Sequence, residues 1–250
     1  ARDHRAVTDQ RALRQARRPA GVEDQQAVFG VDRVGGGRSR RRRRREQALV
    51  RVAERDFVRD HLGPALRDAR LEHVKIVIWD HNRDLMVERA NVVYADAEAA
   101  AYVWGTGFHW YGPEDFDPVQ QVHDAWPDKH LLFTEACQEG GPHIGPTESW
   151  EVGERYARNV INDLNRWTVG WIDWNLLLDE RGGPNHVGNY CSAPILADTA
   201  RGELMHQSAY WTLGHFARFI QPGARRVLTV AAQEIDTTAF VNPDGTTAVV

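Results

Sequence analysis

Residues 54–250 predict an α/β chain: the C-terminal half of a (β/α)8 TIM barrel, followed by the start of an antiparallel β-sandwich domain. Three observations carry this. Four short apolar runs, each ending in polar and aromatic residues, alternate with amphipathic helical patterns, as parallel βα units do. No glycine-rich phosphate loop follows any of these runs, which favours the barrel over a doubly wound sheet. Beyond residue 220 the period shortens to small strands separated by turn residues.

The elements follow in order. Phe57, Val58, Leu62 and Leu66 share one helical face, and Gly63-Pro64 stops that helix there or a turn later. Val74-Lys-Ile-Val-Ile-Trp79 is β-branched and nearly continuous in apolar character, the signature of a strand covered on both faces, and Asp80 closes it. A helix around Ala95–Tyr102, a strand Gly105–Tyr111, a helix near Phe116–Ala125 and a strand His130–Glu135 repeat the unit. A helix Trp150–Trp167 and a strand Val169–Leu176 complete it, with Trp104, Trp126 and Trp167 expected in the core. The loop Asp179-Glu-Arg-Gly-Gly-Pro-Asn-His186 leads to an apolar helix, Ser208–Ile220, ended by Gln221-Pro-Gly223. Val227–Val230, Thr238–Val241 and Thr246–Val250, with Asn242-Pro-Asp-Gly245 as a turn, read as an antiparallel meander. The domain expectation is therefore a partial barrel (strands five to eight) over 54–220 and the beginning of a β-sandwich over 221–250.

Residues 1–53 obey different rules. Residues 1–50 hold 14 arginines against 6 acidic residues, one aromatic, no lysine and the run Arg38-Ser-Arg-Arg-Arg-Arg-Arg-Arg45, without a sustained apolar period. Such runs can neutralise nucleic-acid phosphates. The excess of Arg, Ala and Gly fits better a disordered or non-native stretch, such as an out-of-frame translation of GC-rich DNA, and no nucleic-acid partner is assigned. The 250 residues, 42% hydrophobic and 26% charged, can bury a sizeable core. There is no run of eighteen apolar residues and no basic-then-apolar leader, and both ends read as cut. Cys137 and Cys191 allow one disulfide but form no metal pattern, and Cys137 reads most simply as a small buried group. No cofactor or metal is expected.

In a (β/α)8 barrel the reacting groups lie at the carboxyl ends of the strands. Four ends here are rich in polar and aromatic residues: Trp79-Asp-His-Asn-Arg83, Phe108-His-Trp-Tyr111, Phe133-Thr-Glu-Ala136 and Trp171-Ile-Asp-Trp-Asn175. Carboxylates, indoles, a phenol and amides on one rim suit a sugar site, where pyranose CH faces stack on aromatic rings and hydroxyls need polar partners. Each has a plainer reading: Glu135 as a salt-bridged rim residue, Asp173 as an orienting or structural carboxylate, and His109 as a packed histidine.

The chain from Glu54 onward resembles glycoside hydrolase family 30, the family of lysosomal glucosylceramidase and its bacterial relatives. The matching stretches are Arg55-Asp-Phe-Val, Leu62-Gly-Pro64, Phe108-His-Trp-Tyr111, Thr134-Glu-Ala-Cys137, Gly170-Trp-Ile-Asp-Trp-Asn175, Gly182-Gly-Pro-Asn185, Ser192-Ala-Pro194 and Leu213-Gly-His-Phe216, in order over nearly 200 residues. The resemblance implies that Glu135, on the seventh barrel strand, is the nucleophile of a retaining β-glycosidase. It implies Trp174 as the sugar-stacking wall with Asp173 and Asn175 beside it, Tyr111 holding the Glu135 carboxylate, and His109 lining the same strand end. Asn189 falls on the entrance loop, and Asp80 and His81 on the rim at the fifth strand. A β-glucoside or glucosylceramide-like substrate, and a secreted, periplasmic or lysosomal location, are implied in the same way.

One departure bears on activity. The family's acid/base glutamate stands in an Asn-Glu-Pro triplet, which these 250 residues lack. Glu23 and Glu46 are not flanked by Asn and Pro, and Glu139 and Glu148 are poor substitutes. A retaining glycosidase needs two carboxyl groups about 5 Å apart, so the 250-residue chain alone is expected to turn over little. The alternative is a non-catalytic carbohydrate-binding barrel fragment in which Trp174 and Tyr111 stack sugars.

Overall fold

The computed structural model describes residues 52–139, 150–185, 188, 190–230 and 235–250. The expectations for residues 1–51, Asn189 and Glu148 lie outside the described residues. The described chain divides into two compact units, a larger one from residues up to 136, 150–174 and 208–250, and a smaller one from residues 137–139 and 175–207.

The larger unit opens with a helix, α1, already under way at residue 52 and continuing to Asp68. Pro64 lacks the amide that an α-helical turn would use there, yet the helix ends not at that point but a turn later, the second of the two expected stops. It passes through a wide turn, Val58–Leu62, in which the Gly63 amide donates to the Val58 carbonyl, and resumes over Gly63–Asp68. Gly63 lies against the Tyr102 ring, where a β-carbon would collide with it. Of the expected apolar face, Val58 is buried, whereas Phe57 is 54% exposed because its neighbour along the helix takes the inward position.

Four parallel strands follow: β1 Ile76–Asn82, β2 Val103–His109, β3 His130–Glu135 and β4 Thr168–Trp171, hydrogen-bonded in the order β1-β2-β3-β4. Between them run α2 Met86–Tyr94, α3 Ala97–Tyr102, α4 Asp117–Ala125 and α5 Trp150–Asn165. This is the alternation of a partial TIM barrel. Asp96 caps α3, its carboxylate accepting from the amides of Glu98 and Ala99. Gly105 lets β2 approach β3, since a β-carbon would strike the His130 carbonyl.

The core gathers Ile76, Ile78, Val93, Phe108, Val119, Leu131 and Phe133 between sheet and helices. Trp171 stacks on Phe133 at 4.2 Å with ring planes 1° apart, and Trp110 meets Tyr156 edge-on at 4.7 Å. Within this core lies a buried ion pair: Arg83 Nη2 to Asp163 Oδ2, 2.6 Å, both side chains at most 2% exposed. The Arg83 guanidinium also lies 4.7 Å from the Phe116 ring centroid, and the Trp171 indole N–H donates to Asp163. Trp104 and Trp126 are half-buried, but Trp167 is 51% exposed: its left-handed backbone (φ 70°) turns it outward, where it stacks on His123.

Helix α6, Ser208–Ala217, packs along α5, with Gly153 facing Ser208 and Thr212, and Phe216 against Val160 and Ile161. An antiparallel sheet follows, β8 Arg225–Val227, β9 Ala239–Val241 and β10 Thr247–Val249, in the order β10-β9-β8. Its turn is closed by Gly245, at φ 84°, donating to the Asn242 carbonyl.

The smaller unit holds a sheet absent from the sequence reading: β5 Leu177–Asp179 parallel to β6 Ile195–Asp198, itself antiparallel to β7 Glu203–His206. The Asp179 carboxylate accepts from the amides of Arg181 and Gly183, closing the turn after β5. Cys137 is more than a small buried group: it forms a disulfide with Cys191, with α-carbons 6.0 Å apart and both residues 4% exposed. The Ser192 amide donates to the Gln138 carbonyl beside it.

Candidate active site

The site is assembled at the carboxyl ends of β1, β2, β3 and β4, and the local backbone decides which side chains arrive there. On β1 the strand does not close at Asp80 but continues to Asn82. Trp79 and Asp80 both have left-handed backbones (φ 71° and 53°), and the register with β2 slips between Trp79 and His81. This bulge brings Asp80 to His109: Asp80 Oδ1 and His109 Nε2 are 3.1 Å apart. Thr134, next to Glu135, also bonds Asp80. The His81 ring stacks on His109 with centroids 6.1 Å apart. Asn82 Oδ1 accepts from the Tyr111 amide, 3.0 Å, fixing the exit of β2.

His109 pairs in register with Glu135 across β2 and β3. Glu135 is half-buried and hydrogen-bonded by the Tyr111 side chain. Burial pushes its carboxyl above the usual carboxylate range; the His109 charge and the Tyr111 bond oppose this, and the Asp80 charge adds to it. Asp80 itself is held below that range, first by its bond to His109. Burial, then the neighbouring His109, lowers His81. One carboxyl shifted up and its neighbour shifted down is the pattern of groups tuned for separate tasks.

At β4 the ladder ends at Trp171, yet the chain stays zipped to β3. The Ile172 amide donates to the Phe133 carbonyl at 3.0 Å and the Trp174 amide to the Ala136 carbonyl at 2.7 Å. The backbone of Trp174 is thus fixed to the residue after Glu135, while its side-chain-bearing residue stays 56% exposed. Asp173, half-buried, accepts from the Tyr156 hydroxyl at 3.1 and 3.3 Å.

The structure therefore groups Asp80, His81, His109, Tyr111 and Glu135, and places Asp173 and Trp174 on the adjoining strand exit. Asn175 opens the smaller unit. Glu139 bridges to Cys191 through its backbone in the smaller unit. Sequence reasoning missed Asn82, Thr134 and Tyr156. Asn82 follows Asp80 at the two-residue spacing that keeps side chains on one face of a strand, a usable signal. Tyr156 sits in a helical pattern where any aromatic reads as core. Among the described residues, no group of three His, Cys, Asp or Glu side chains could hold a metal ion.

Residues 35–220 match the Glycosyl hydrolase family 30 TIM-barrel domain. The chain is 37% identical over 209 residues to the lysosomal acid glucosylceramidase of Mus musculus, covering 79% of this chain and 39% of that protein. Among solved structures, SrfJ from Salmonella typhimurium superposes with a TM-score of 0.72 at 36% identity, covering 77% of this chain and 43% of that one. The endo-beta1,6-glucanase BT3312 gives 0.69 at 32% identity, covering 78% and 44%. The chain thus spans well under half the length of these relatives. From the match over 35–220 and the site it contains, the chain belongs to glycosyl hydrolase family 30.

Proposed function

We propose that the protein bearing this chain is a retaining β-glycosidase with Glu135 as nucleophile. The observation that carries the reading is the setting of Glu135 at the carboxyl end of β3, hydrogen-bonded by Tyr111 and paired in register with His109, which Asp80 holds. In the first step a Glu135 oxygen attacks the anomeric carbon as the bond to the leaving oxygen breaks, giving a glycosyl ester. In the second, water attacks that carbon as its bond to Glu135 breaks, giving the free sugar and the Glu135 carboxylate, while the water proton passes to the second carboxyl. Tyr111 orients the attacking carboxylate, and the exposed Trp174 supplies an indole face for the pyranose.

The substrate class is a β-glucoside. The mouse relative is a glucosylceramidase and BT3312 an endo-β-1,6-glucanase, which supports a glucose-configured glycone and leaves a lipid and a glucan as competing aglycones. Proton delivery to the leaving oxygen needs a second carboxyl, and the Asn-Glu-Pro setting for it is not found within the 250 residues. The 250-residue polypeptide by itself therefore hydrolyses aryl β-glucosides at a negligible rate. A second reading, sugar binding without turnover, rests on the same absence and on the exposed Trp174.

A 2-fluoro-glucosyl fluoride tests the nucleophile without the acid, because fluoride leaves unprotonated. The label is expected on the peptide containing Glu135 and lost in Glu135→Gln. Label on any other residue, or equal labelling of the variant, refutes the assignment. Rapid release of nitrophenol from an aryl β-glucoside by the pure chain would refute the stated lack of turnover.

A further inference from the structure

Tyr156 is a core residue by every packing measure. It is 1% exposed, and its ring sits edge-on to Trp110 at 4.7 Å and tilted to Trp171 at 5.8 Å. A phenylalanine would fill that space equally well. The hydroxyl is therefore what needs a reason, since a buried hydroxyl costs free energy unless it is bonded. It is spent on Asp173, donating across both carboxylate oxygens at 3.1 and 3.3 Å.

Asp173 occupies a particular place. The residues on either side of it, Ile172 and Trp174, each donate a backbone amide to β3, at Phe133 and Ala136. Among the described residues, the exit of β4 is thus held by two backbone bonds to β3 and by the side-chain bond to the phenol of α5. Only the third involves a side chain that is half in solvent and able to meet a ligand hydroxyl. Charge-assisted bonds of this kind are among the stronger ones.

Building on the glycosidase reading above, we infer that Tyr156 is a positioning residue for sugar binding: its buried hydroxyl fixes the Asp173 carboxylate, and through the adjoining peptide the angle at which Trp174 faces a pyranose. The phenol is buried and acts through Asp173.

The test labels the 250-residue chain with 5-fluorotryptophan and follows the 19F line of Trp174, assigned with Trp174→Phe, in Tyr156→Phe, Asp173→Asn and the double variant. If the inference holds, each single change displaces the Trp174 line and the double variant moves it no further than the larger single, because both cut one linkage. Deoxynojirimycin, a glucose-configured iminosugar, should move the same line in the unmodified chain. Its dissociation constant should rise by up to about tenfold in Tyr156→Phe, because Asp173 and Trp174 must then be ordered on binding. A Trp174 line indifferent to Tyr156→Phe, with unchanged iminosugar affinity, overturns the positioning role and leaves the sugar site standing. A Trp174 line that ignores the iminosugar in the unmodified chain overturns the sugar-site reading itself, and the inference with it.

Discussion

The cross-link between Cys137 and Cys191 invites a quantitative test. The two cysteines are 54 residues apart in sequence and both 4% exposed. Closing a loop of that length restricts the unfolded chain by about 4 kcal/mol on the chain-entropy account. Replacing both cysteines by alanine removes this restraint without burying a hydroxyl, and adds about 1 kcal/mol for the lost sulfur contacts. Among its described residues, the smaller unit has strands of three, four and four residues to oppose that loss. For a chain of this size, with a urea dependence of about 2.5 kcal/mol per molar, the unfolding midpoint should fall by about 1.5–2 M. Urea titrations of the unmodified chain, the Cys137→Ala/Cys191→Ala variant and the unmodified chain in reductant read this directly. A drop under about 0.4 M, or a reduced chain as stable as the oxidised one, would refute the reasoning.

Three further predictions concern charge. Tyr111→Phe removes a bond that holds the Glu135 carboxyl down, so a carboxyl already above its ordinary range should move further up. The acidic limb of fluoro-sugar labelling, which needs the ionised form, should shift to higher pH, and an unmoved or lowered limb would contradict the assignment. Arg83→Met strands Asp163 as a buried carboxylate with the Trp171 indole as a remaining donor, at a cost of about 3–5 kcal/mol at pH 7, read by thermal melting. Full burial, working against the Arg83 charge, pushes Asp163 up to about 6. A carboxyl whose folded pKa exceeds its unfolded one contributes stability below the unfolded value and loses it as pH rises through the folded value. Melting temperature should therefore fall between about pH 4 and 6, and Asp163→Asn should flatten that slope.

Where a segment carries one dominant signal, the sequence reading and the structure coincide. His130–Glu135 is a continuous apolar run between polar ends, and it is the observed strand to the residue. Helix α2, Met86–Tyr94, went unread because Arg83-Asp-Leu preceding it mixes charge with an apolar residue and offers no side-chain cap. Strands β5 to β7 are too short to show a period. The left-handed Trp79 could not be foreseen, because a bulky aromatic residue gives no glycine-like warning, whereas Asp80 is of a type that tolerates this region. In the site, the family resemblance pointed to Glu135 with Tyr111 holding its carboxylate and His109 beside it, and the structure has the Tyr111 bond; the other pairings did not follow from the sequence. That Asp80 reaches His109 depends on a one-residue slip, and that Tyr156 reaches Asp173 depends on how α5 lies over β4.

The two backbone bonds that continue β4 along β3, from Ile172 and Trp174, make the backbones of Trp174 and Glu135 passengers on a common rail. Residues 139–150 and 176–190 lie outside the stretches that carry these two bonds, 133–136 and 172–174. On the glycosidase reading proposed above, those two stretches can be exchanged while the backbone spacing between β3 and the exit of β4 is kept. Grafts of those two stretches from lipid-cleaving and glucan-cleaving relatives are thus a rational place to begin redirecting specificity.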